Sequence, residues 1–161
     1  MSYKLEAFIL NHRAAEMLPD NLRHLHRCRL NDHLALVPNT RYLYNEVVAT
    51  FGKAKDDPYD EALFIGLHPA LGQMAAEISS VSPVLYLEVD VASGIGDRSA
   101  IVWHKGEAVY GPTWGSSQVT EAFRLFAQME GLSLDWVVEL RIFRYRFTED
   151  WVQPIEQDSD E

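Results

Sequence analysis

The stretch "RHLHRC" sets His24, His26 and Cys28, the only cysteine of the chain, at alternate positions. On an extended strand alternate side chains share a face. Two imidazoles and a thiolate are good zinc ligands, so His24, His26 and Cys28 form a candidate metal site, with His12, His33 or a carboxylate completing it. Arg23, Arg27 and Arg29 interleave with them, and such cations oppose a nearby dication. The competing reading is therefore a partly exposed basic strand edge. Cys28 as a nucleophile needs a positioned base and a lowered pKa; the stretch supplies the residue types without fixing their geometry.

Glu88 and Asp90 alternate in "LEVDV", and Asp97 follows nearby. Paired carboxylates suit acid–base work or a hard cation, but the same row is the ordinary solvated face of a half-buried sheet. "GIG" at Gly94–Gly96 lacks the third glycine and the following helix of a dinucleotide loop. Asp97-Arg98-Ser99 is not the Gly-Lys-Ser/Thr end of a Walker loop. The glycines read as a turn between strands. "RIFRYRF" places Arg141, Arg144 and Arg146 among aromatics; in an acidic chain it reads as an ion-pairing segment opposite Glu149 or Asp150. No motif fixes a reaction, so no catalytic residue and no cofactor is assigned.

The elements that must position these residues follow from periodicity and breakers. "YKLEAFIL" alternates as a strand, with Glu6 breaking its apolar run. Asn11 caps a short helix "HRAAEML" ended by Pro19, and Asn39 or Thr40 caps "RYLYNEVVATF". "LHRCRL" and "LALVP" flank a turn at Asn31-Asp32. "KAKDDPYDE" is a polar surface loop, and Pro69 opens a helix over "ALGQMAAEIS". "PVLYLEVDVA", "SAIVW" and "EAVYG" form a meander over about 84–111, because such short connections forbid a parallel crossover. A serine at 116 or 117 caps "VTEAFRLFAQME", which buries Val119, Ala122, Phe123 and Phe126 and stops at Gly131. "SLDWVVELRI" reads as a further helix. The fold class is α+β: a single domain over residues 1–155, a mostly antiparallel sheet, three to five helices mainly on one side, and a frayed acidic tail over 156–161.

The 161 residues suffice for one domain with a core, and 47% of them are hydrophobic. The formal net charge is −10, from 24 acidic and 14 basic residues. That excess excludes a general nucleic-acid binder or a docker on anionic membranes. One cysteine allows no internal disulfide. No signal peptide or membrane-spanning run is read, so a cytoplasmic location is expected.

"SPVLYLEVD", the "GIG" turn, "AIVW" with its "HKGE" turn, and "FRYRFTEDW" together resemble small uncharacterised bacterial α+β proteins over about half the chain. The resemblance implies no activity and no catalytic residue. In size, acidity and style the chain is similar to immunity proteins that neutralise toxins.

The leading expectation is a non-enzymatic, cytoplasmic protein-binding module, an immunity or inhibitor protein that occludes a basic partner. Asp56, Asp57, Asp60, Glu61, Glu88, Asp90 and Asp97 would face that partner, with Trp114, set between proline and glycines in "GPTWGSS", as an anchor. One alternative is a metal-dependent enzyme or metal-binding protein built on His24, His26 and Cys28. The other is a self-associating subunit that forms a homodimer through a sheet edge or Trp114.

Overall fold

The computed structural model describes residues 3–51, 67–92, 95–133, 145 and 147–152. Asp56, Asp57, Asp60, Glu61, the expected helix "SLDWVVELRI", the three arginines of "RIFRYRF" and the acidic tail lie outside them.

Strand β1 (Tyr3–Asn11) leads directly into helix α1 (His12–Glu16). The switch is local: the Asn11 side-chain oxygen accepts from the Ala14 N–H at 2.8 Å and caps the helix. A coil then reaches the two-residue strand β2 (Cys28–Arg29), followed by β3 (Leu34–Pro38) and α2 (Arg41–Phe51). Thr40 caps α2, its hydroxyl accepting from the Leu43 N–H at 3.1 Å. Helix α3 (Pro69–Ile78) starts with proline where no N–H is needed, and the His68 ring nitrogen accepts from Ala70 N–H at 3.0 Å.

The meander is β4 (Val84–Ala92), β5 (Ile95–His104) and β6 (Glu107–Trp114). The β5–β6 turn is Lys105-Gly106, both with positive φ (53° and 84°), which matches strand twist in a two-residue hairpin. Helix α4 (Ser116–Met129) ends at Gly131, φ +70°, with the Leu132 N–H donating to the Ala127 carbonyl at 2.8 Å. A short 3₁₀ helix covers Thr148–Trp151.

Six strands form one sheet in the order β2-β3-β1-β4-β5-β6, with every neighbouring pair antiparallel. Both faces are covered. Phe8, Leu10, Tyr86, Ile101 and Trp103 point into one core, closed by α1, α2 and α3 through residues such as Ala14, Leu43, Val47, Leu71 and Met74. Leu5, Ala7, Ile9, Leu85, Leu87 and Val102 point into the other, closed by Val119, Ala122, Phe123 and Phe126 of α4 and by Trp151. Three of the four α-helices among the described residues thus share one side. The alternation expected of "YKLEAFIL" holds, but β1 buries apolar residues on both faces because helices cover both sides of the sheet. Each fully buried leucine stabilises by about 2 kcal/mol.

Two expectations need correction. β5 begins at Ile95, so Gly96, Asp97 and Arg98 belong to the strand and pair with Val91, Asp90 and Val89 rather than forming a turn. The strand expected over "LHRCRL" shrinks to Cys28–Arg29, because Leu22 and Leu25, three apart, both enter the core. A straight strand cannot point residues three apart to the same side.

Candidate functional site

The site is the end of the sheet where the β1–β4–β5 ladder runs past the helices. On the face carrying Tyr86, Asp90 lies between Lys4 of β1 and Asp97 of β5. In the next rung Glu88 lies between Glu6 and Ser99, and Trp114 of β6 stands opposite Ser99. Directly opposed residues point to the same side of the sheet. Two like-charge pairs, Glu6/Glu88 and Asp90/Asp97, therefore sit in adjacent rungs, with one cation, Lys4, on the β1 side. Like charges in such positions destabilise a sheet.

The inner rung is built, not merely exposed. Glu88 is 8% exposed, and the fully buried Tyr86 donates its hydroxyl proton to Glu88 Oε2 at 2.7 Å. Asn39 Nδ2 donates to the Tyr86 oxygen at 3.1 Å. Burial first, then the charges of Glu88 and Glu6, hold the Tyr86 phenol well above its ordinary range, so it remains a donor. The half-buried Glu6 carboxyl is pushed up to about 7. Desolvation is the largest cause, followed by repulsion from Glu88; Glu149 and Asp90 add to it, and Lys4 opposes it. β1 is held here by Thr148, whose hydroxyl accepts from Glu6 N–H at 3.0 Å and donates to the Lys4 carbonyl at 3.2 Å.

A cleft of about 600 Å³ opens beside this rung, between Lys4 and Glu6, the first turn of α2 and Glu149. A second, of about 510 Å³, shares Thr40, Tyr42 and Glu149 with it and continues to Arg23, His24 and His26.

Of the residues singled out from the sequence, the structure brings Glu88, Asp90, Asp97 and Trp114 to one face, and Trp114 is 53% exposed. Glu88 was expected at a partner-facing surface; it is buried, and its charge acts on Glu6. Glu6 and Glu149, named only as a break in an apolar run and as an ion-pair partner, were not among the candidate site residues. The signal for Glu6 was available, since a glutamate interrupts an apolar strand on the side of Phe8 and Leu10. Glu149 reaches the site only through tertiary folding.

Among the described residues no three of the histidines, cysteines and carboxylates are grouped so as to hold a metal ion. His24 and His26 line the second cleft. Cys28 sits on β2, half-buried, its thiol donating to the Trp151 carbonyl at 3.4 Å. Burial pushes that thiol up, away from the range of a reactive thiolate. No helix among the described residues is long and apolar enough to cross a membrane.

The chain matches no protein-family model, no curated protein and no solved structure.

Proposed function

We propose that this protein is a non-enzymatic binding module that occludes a basic protein partner, in the manner of an immunity or inhibitor protein. The acidic end of the sheet is its docking face. The observation that carries the reading is the pairing of like charges in register, Glu6 with Glu88 and Asp90 with Asp97, on a face that ends in the exposed Trp114. Such an arrangement costs the fold stability, and a partner's lysine or arginine side chains would relieve that cost. Trp114 supplies an aromatic anchor beside the charges, a common hot-spot chemistry.

The test is association kinetics against a panel of strongly cationic proteins, with wild type and an Asp90→Lys/Asp97→Lys variant. At least one saturable complex is expected. Its association rate should fall about tenfold or more between about 50 and 200 mM salt, and the variant should lose it. A chain that binds none of the panel, or whose binding ignores salt and charge reversal, overturns the reading.

A further inference from the structure

We draw no further inference here: the strongest candidate, the groove of about 210 Å³ where the exposed Met17 and Phe51, at the ends of α1 and α2, stand beside Met74 of α3, carries nothing because no feature of the structure shows what covers it.

Discussion

Replacing Glu6 by glutamine should stabilise the protein, and only above mildly acidic pH. The folded-state carboxyl lies at about 7 against an ordinary 4.5, so the native state holds this proton more tightly than the unfolded chain. Between those two values the native state binds more protons, and stability falls as pH rises. Below about 4.5 both states are protonated and the group contributes no slope; above about 7 both are ionised and the loss is complete. At 1.36 kcal/mol per unit, the loss is on the order of 3 kcal/mol. A glutamine side chain would keep the shape and carry no charge. The difference in unfolding free energy, variant minus wild type, should therefore be near zero at pH 4 and rise toward on the order of 3 kcal/mol by pH 8. Urea unfolding followed by tryptophan fluorescence measures it, since Trp103 and Trp151 are buried. All other titrating groups are common to both proteins, so the difference curve isolates Glu6 and its coupling to Glu88. A difference that is flat from pH 4 to 8 would refute the reasoning, as would a Glu6 carboxyl that titrates in the ordinary range.

Tyr86→Phe removes the hydroxyl that donates to Glu88 and accepts from Asn39; denaturant melts should show a loss of about 1–3 kcal/mol, and a neutral result would refute the wiring of the inner rung. Gly111 has φ +85°, and an added Cβ would lie 2.6 Å from the Ala100 carbonyl oxygen, so Gly111→Ala should cost on the order of 2 kcal/mol in the same melts. Trp114→Ala should leave stability within about 0.5 kcal/mol while weakening the partner complex tenfold or more in kinetic assays; a destabilised monomer would mark Trp114 as a packing residue instead.

The parts of the fold that were legible are those written in local chemistry. Asn11, Thr40, Pro69 and Gly131 punctuate helices whose caps need only neighbours within a few positions. Lys105-Gly106 closes a hairpin that its flanking branched residues announce. The start of β5 was illegible for the opposite reason. Gly96, Asp97 and Arg98 have turn chemistry, and they are held in the strand by pairing with β4. The segment around His24 failed similarly: its alternation is that of a strand, but burial of Leu22 and Leu25 overrides it. As for the site, Glu88, Asp90, Asp97 and Trp114 could be named singly, whereas their union with Glu6 depends on β4 lying beside β1, a pairing across 82 positions at Glu6 and Glu88 (88 − 6). No local pattern encodes that.

On the proposed docking reading, the acidic rungs are also where folding and binding pull against each other. Tyr86, Phe8 and Ile101 extend one core along the sheet, and an apolar pair at positions 6 and 88 would continue it. The chain instead places two carboxylates there, one of which cannot ionise freely below about pH 7. A partner's cation binds best to the ionised cluster, so below that pH binding must expel a proton from Glu6. The affinity for a basic partner should accordingly rise with pH, by up to about tenfold per unit below 7, and level off above it. Calorimetry in buffers of different ionisation enthalpy should detect up to one proton released per complex near pH 6, and none from a Glu6→Gln variant. A partner affinity that is constant from pH 5 to 8, with no proton release, would separate Glu6 from the docking face and leave Asp90 and Asp97 to account for it.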